Sequence, residues 1–140
     1  MPGGKKFLRS VSTPVSRSVW NMKTVLIVDD EYLIADILSF ALEDEGFMTV
    51  TATSALKALE ILGRERPDLI VTDFMMPGMT GLEFAERVKQ NAAYLPTPIV
   101  LMSGAQAHLG TARPDLFLEV FEKPFDIAAM VARIKALLHA

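Results

Sequence analysis

Three short runs in this chain are apolar at every position: Val25-Leu26-Ile27-Val28, Leu69-Ile70-Val71 and Ile99-Val100-Leu101-Met102. A strand with one face in water alternates apolar and polar residues. Runs rich in β-branched residues that do not alternate need cover on both faces, which a parallel sheet flanked by helices provides.

The segments around these runs have the matching periods. Thr24–Val28 reads as the first strand, and Glu31–Glu45 as a helix with apolar residues at Ile34, Ile37, Leu38, Ala41 and Leu42, closed by Gly46. Phe47–Ala52 reads as a second strand. Ser54 is the expected N-cap of a helix to about Arg64, facing inward with Ala55, Leu59 and Leu62, and Pro67 breaks it. Asp68–Thr72 is the third strand, and Gly81–Gln90 a helix with Leu82, Ala85 and Val88 inward. Pro96 and Pro98 bracket the approach to a fourth strand, Ile99–Met102. A short, weak helix at Ala105–Gly110, a fifth strand at Leu116–Phe121 and a helix at Asp126–Leu138 complete five βα units. The expected fold class is α/β, a doubly wound five-stranded parallel sheet with right-handed crossovers.

At 140 residues and 51% hydrophobic composition, the chain suffices for one domain with a real core. No apolar run is long enough to span a bilayer, so no membrane insertion is expected. Cysteine is absent, which removes disulfides and thiolate metal sites and fits a cytoplasmic location. The net charge of -3 is unevenly spread. Residues 1–21 hold Lys5, Lys6, Arg9 and Arg17 and no acid. The remainder carries 10 of the 14 basic side chains and all 17 acidic ones, a net of -7. An acidic body argues against direct nucleic-acid binding. The basic segment, with Gly3-Gly4, Pro14 and scattered serines and threonines, reads as a disordered N-terminal tail or a non-native remnant. Residues 22–140 read as the folded domain.

In a doubly wound sheet, ligands bind at the carboxyl ends of the strands. Here the first strand ends in Asp29-Asp30-Glu31, the third in Asp73, the fourth in Ser103, and the fifth leads into Lys123. Several carboxylates at one sheet edge repel one another unless a hard cation neutralises them. Mg²⁺ suits such a set because it takes oxygen ligands and keeps waters that a phosphate can replace. A lysine point charge suits a phosphoryl oxygen, and a serine hydroxyl can donate to another. Each residue alone also has a plainer reading. The three acids can charge a helix N-terminus, Ser103-Gly104 can be a turn, and Lys123 a surface lysine. Met75, Met76 and Met79 are expected to pack, and His108 and His139 to be solvated.

The full set resembles the receiver domain of two-component response regulators, the CheY-like family, over about residues 23–139. The resemblance is carried by Val25-Leu26-Ile27-Val28-Asp29-Asp30-Glu31, by Pro67-Asp68-Leu69-Ile70-Val71-Thr72-Asp73-Phe74-Met75-Met76-Pro77-Gly78-Met79-Thr80-Gly81, by Ser103-Gly104-Ala105 and by Glu122-Lys123-Pro124-Phe125. It implies a flavodoxin-like (βα)5 fold with strand order 2-1-3-4-5. It implies Asp73 as phosphoacceptor, with Lys123 pairing first with Asp73 and then with a phosphoryl oxygen, and Ser103 hydrogen-bonding the aspartyl phosphate. Mg²⁺ would be held by Asp30, Asp73 and the backbone carbonyl of Met75, with Asp29 acting through a water. Lys123-Pro124 matches a position that is cis in the family.

The resemblance further implies a histidine kinase or histidine phosphotransfer protein as phosphodonor, and a protein target downstream. The expectation is a stand-alone receiver, able to self-associate, that catalyses only its own phosphorylation and dephosphorylation. The rival readings are a phosphate-independent interaction module of the same fold and an Asp-nucleophile Mg²⁺ phosphohydrolase. The latter commonly has a second acid two residues after the nucleophile, where this chain has Met75. Many receivers carry Tyr or Phe three residues before the lysine; here that residue is Val120, with Phe121 expected on the opposite face of the strand.

Overall fold

The structure, a computed structural model, describes residues 22–139; the basic segment 1–21 and the expectation attached to it lie outside them. Strand and helix alternate: β1 (Thr24–Val28), α1 (Tyr32–Asp44), β2 (Met48–Ala52), α2 (Ala55–Leu62), β3 (Leu69–Asp73), α3 (Gly81–Lys89), a 3₁₀ turn (Ala92–Tyr94), β4 (Ile99–Ser103), α4 (Ala107–Thr111), β5 (Glu119–Glu122) and α5 (Ile127–His139). The five strands are all parallel and ordered β2-β1-β3-β4-β5, which is 2-1-3-4-5.

The alternation of side chains along each strand splits the core in two. Leu26, Val28, Ile70, Ile99 and Leu101 pack on one face with Ala58, Ile61, Phe84, Ala85 and Val88 of α2 and α3. Val25, Ile27, Leu69, Val71, Val100 and Met102 pack on the other with Leu38, Leu42, Met130 and Ile134 of α1 and α5. Each large apolar side chain so buried contributes about 1.5–3 kcal/mol of transfer free energy. Val120 packs with the first group and Phe121 with the second, the opposite facing expected of neighbours on a strand.

The helix starts are locally encoded. Ser54 Oγ accepts from the Lys57 amide at 3.1 Å, as its sequence position predicts. Thr80 and Glu83 form a reciprocal capping box at the head of α3, with bonds of 3.1 and 2.9 Å.

Several expectations are corrected. β5 begins at Glu119, not Leu116. The Leu116 and Phe117 amides instead bond back to the Arg113 carbonyl at 3.0 and 3.1 Å, closing a turn after Pro114. Their side chains are buried at the base of the first core. An apolar run of this length has no period that separates a strand from a packed turn. In α1, Ile37 is 54% exposed; Ala35, Leu38, Ser39 and Leu42 face the sheet. That helix is apolar around most of its circumference, so spacing alone does not choose the buried arc. α2 stops at Leu62, and Phe84, not singled out in the sequence, is fully buried in α3. β3 and β4 each run one residue further than expected. Asp73 and Ser103 are therefore the last residues of their strands, the strand-end positions expected of them.

Candidate functional site

Strand pairing carries the polar residues to one edge. Asp73 lies opposite Met102 and Ser103 opposite Glu122 in the parallel register, so the ends of β3, β4 and β5 are level. Asp29 follows β1 directly, and its amide donates to the Ala52 carbonyl at 3.0 Å, extending the β1–β2 ladder. Backbone hydrogen bonds thus place the acids before any side-chain contact does.

Asp29 is fully buried and Asp73 is 4% exposed, while Asp30 faces solvent. Oxygens from these three carboxylates lie within 4.8 Å of one another. Lys123 Nζ is 2.9 Å from Asp73 Oδ1 and 3.9 Å from Glu31 Oε1. The Lys123 amide donates to the Ser103 carbonyl at 2.7 Å, which ties the end of β5 to the end of β4, and the Lys123-Pro124 bond is cis. Asp29 Oδ1 accepts from the Glu31 amide at 2.9 Å. Among the described residues, Asp29 Oδ2 and Ser103 Oγ are buried side-chain atoms with no hydrogen-bond partner.

The electrostatics follow from burial and crowding. Asp29 is pushed up to about 6, first by burial and then by the neighbouring Asp73 charge, against the lowering pull of the Glu31 amide and Lys123. Burial also raises Asp73, with a contribution from Asp30, and outweighs the hydrogen bond and attraction of Lys123. Burial alone would lower Lys123; its hydrogen bond to Asp73 and the surrounding acids win, and its affinity for the proton rises. One lysine faces three carboxylates, leaving an uncompensated negative charge at a partly dry sheet edge. The all-oxygen donor set, its mutual distances and the free Asp29 Oδ2 fit a hard divalent cation, and the cluster could hold one.

Backbone packing fixes Asp73 from below. A Cβ at Gly81 would stand 2.2 Å from the Asp73 carbonyl oxygen, so α3 can approach the strand end only because residue 81 is glycine. The Gly81 amide donates to the Phe74 carbonyl at 2.8 Å across the same contact. Neither this role of Gly81 nor the approach of Glu31 to Lys123 was read from the sequence. The helix starts at Gly81 as expected, and Thr80-Gly81-Leu82-Glu83 carries the capping-box pattern that marks this start.

Met76 is buried and Met79 packs on the first core, but Met75 is 57% exposed, against the expectation that it packs. His108 and His139 are both exposed, and His139 also stacks on Phe47 with ring centroids 5.4 Å apart.

Comparison with known proteins agrees with this geometry. The family profile described as "Response regulator receiver domain" matches residues 25–135. Sporulation initiation phosphotransferase F of Bacillus subtilis is 35% identical over 114 residues, covering 81% of this chain and 92% of that protein. The phosphate regulon transcriptional regulatory protein PhoB of Pseudomonas aeruginosa is 35% identical over 122 residues, covering 84% of this chain. The chain spans about half of that regulator's length, 52%. Among solved structures, the chemotaxis response regulator CheY4 of Vibrio cholerae superposes with a TM-score of 0.76 at 29% identity, covering 84% of this chain and all of that one.

Proposed function

The chain belongs to the response regulator receiver domain family of two-component signalling, and on that premise we propose that it accepts a phosphoryl group on Asp73 from a phosphohistidine donor and signals by docking in the phosphorylated state. The observation that carries this reading is Asp73 itself. It is a carboxylate at the end of a buried strand, held at 2.9 Å by Lys123 and crowded by two further acids.

In the reaction, a carboxylate oxygen of Asp73 attacks phosphorus in line. The new O–P bond forms as the P–N bond to the donor imidazole breaks, and the electron pair of that bond returns to the ring nitrogen. Burial favours this role, because a carboxylate stripped of part of its hydration is more basic and more nucleophilic. Lys123 holds the Asp73 side chain beforehand and then exchanges that contact for a phosphoryl oxygen. Ser103 Oγ, buried and unpaired, donates to another phosphoryl oxygen. Asp30, Asp73 and the Met75 backbone carbonyl would hold Mg²⁺, with Asp29 acting through a water. When bound, the ion neutralises charge on the acids and on the transferring group. The water that later hydrolyses the aspartyl phosphate completes a cycle in which the chain turns over only its own modification.

The donor is a histidine kinase or histidine phosphotransfer protein. α1 starts at the site's edge and leaves Leu33, Ile37 and Phe40 exposed, an apolar face beside the acids on which a partner can dock. Residues 22–140 form the receiver unit. The phosphohydrolase reading lacks its second acid, since Met75 stands there. Among the described residues, no helix is long and apolar enough to cross a membrane; a cytoplasmic location beside the kinase partner is part of this proposal.

Phosphoramidate, a small donor with a P–N bond, tests the reaction. Incubation with Mg²⁺ should give a product labile to hydroxylamine, the behaviour of an acyl phosphate. A product stable to hydroxylamine, or one formed equally by Asp73→Asn, would rule out the proposed acceptor.

A further inference from the structure

The amino edge of the sheet, opposite the acid site, has a charge imbalance of its own. α1 runs down to this edge and ends in Glu43, Asp44 and Glu45, with no base in its last turn. The last turn is the negative end of a helix, where cations are favoured and acids repelled. Thr49 donates to Glu43 at 2.8 Å, and Lys135 of α5 pairs with Glu45 at 2.7 Å. Asp44 is exposed and pairs with no base among the described residues.

Beside this turn, a groove of about 470 Å³ opens between α1 and α5. Ala41 of α1 and Ala128 and Ala132 of α5 line it, and larger side chains there would fill the space. Its charged lining is Asp44, Glu45 and Lys135. The volume lies in the range that admits a drug-sized group.

The chain enters β1 at the same edge. The Met48 amide donates to the Lys23 carbonyl at 2.8 Å, and Thr24 exchanges two hydrogen bonds of 2.8 Å with Asp68. Met48 stands three residues after Glu45, a span of at most about 11 Å. Residues 1–21 are therefore attached beside the acidic turn. They carry Lys5, Lys6, Arg9 and Arg17 with no acid, and Trp20, the single tryptophan of the chain. Trp20 lies three residues and Arg17 six before Lys23, reaches of about 10 and 20 Å for extended chain. Both suffice to meet the groove and Asp44.

We infer that the groove between α1 and α5 is the docking site of this chain's own residues 15–20, in place of the disordered tail expected from composition. Trp20 enters the groove beside Ala41 and Ala132, and Arg17 pairs with Asp44. Sign, size and place agree. The acidic turn lacks a cation that the segment supplies, the alanines leave room for a large apolar side chain, and the junction at Lys23 puts both within reach. The inference stands apart from the function proposed above, because neither Asp44 nor the alanines belong to the acid site.

The fluorescence of Trp20 reads this contact without a label. The test uses the full chain, with a peptide of residues 1–21 as the undocked reference. Trp20 in the full chain should emit to the blue of the peptide and resist quenching by acrylamide. Filling the groove with Ala132→Phe, at an exposed position, should return both readouts to those of the peptide. Asp44→Lys should lower the docked-to-free ratio, read from fluorescence lifetimes, by about fivefold. Adding Arg17→Asp to that variant should restore it. Asp44→Lys also puts a cation at the negative end of α1, which favours the helix, so its loss of docking is not a loss of fold. Equal quenching of Trp20 in chain and peptide would overturn the inference. So would protection that survives both Ala132→Phe and Asp44→Lys, which would put Trp20 somewhere other than the groove. Protection lost on dilution would make the occupant the segment of a second copy, and would overturn docking within one chain.

Discussion

Lys123 Nζ sits 2.9 Å from Asp73 Oδ1, yet the Asp73 carboxyl still holds its proton more tightly than an ordinary aspartate. One cation does not offset the burial of Asp73 and the charges of Asp29 and Asp30 around it. The metal-free site is therefore destabilised in its ionised form, and the same few oxygens link stability to the proposed cation binding and acceptor chemistry.

A dependence on pH follows. Asp29 is pushed from 3.8 to about 6 in the folded chain, so between those values the folded state binds more protons than the unfolded one. Raising the pH through this window costs stability, and the loss is complete above about pH 7. Urea denaturation in EDTA should show the protein more stable near pH 5 than near pH 8, with Asp29 contributing on the order of 1 kcal/mol over that interval. Asp29→Asn should remove that share of the gradient, and Mg²⁺ should flatten it by stabilising the ionised acids.

Asp30 is exposed, so a substitution there separates the proposed metal binding from folding. Asp30→Asn should leave unfolding free energy within about 0.5 kcal/mol while weakening Mg²⁺ binding roughly tenfold. Calorimetric titration beside a thermal melt reads both. Equal affinity for Mg²⁺ in the variant would remove Asp30 from the metal set.

Ser103 Oγ has no partner to lose. Ser103→Ala should keep or slightly raise the melting temperature, because a buried unpaired hydroxyl contributes nothing to the unmodified fold. The same variant should bind beryllofluoride about tenfold more weakly, the worth of one hydrogen bond to a charged group.

Two glycines near the acids should behave oppositely. A methyl at Gly81 meets the Asp73 carbonyl oxygen at 2.2 Å, whereas one at Gly104 meets nothing within 4 Å. Gly81→Ala should cost about 3 kcal/mol or more and depress phosphoryl acceptance, with α3 forced off the strand end. Gly104→Ala should stay within about 0.5 kcal/mol of the wild type. Denaturation curves on the pair decide it.

The parts of this molecule legible in its sequence are those governed by local chemistry. Non-alternating runs announced buried parallel strands, Ser54 announced a helix start, and Val120 and Phe121 separated to opposite faces as strand geometry requires. The acids were legible as a group because each ends an apolar run, where a charge needs a reason. What escaped depends on three-dimensional approach. Leu116 and Phe117 are as apolar as a strand but plug a turn; the chain joins the β4 ladder only from the Leu118 amide, with Glu119 opposite Val100 as the first paired residue. Ile37 points outward because α1 offers more apolar surface than the sheet can cover. Gly81 reads as an ordinary helix residue until the Asp73 carbonyl is seen against it.

The most direct measurement is intact mass after incubation with acetyl phosphate, with and without Mg²⁺, for the wild type and Asp73→Asn. We expect the wild type to gain one phosphoryl group only when Mg²⁺ is present, and the variant to gain none. A wild type that gains none while binding Mg²⁺, or a variant that gains one as readily, would contradict Asp73 as the phosphoacceptor.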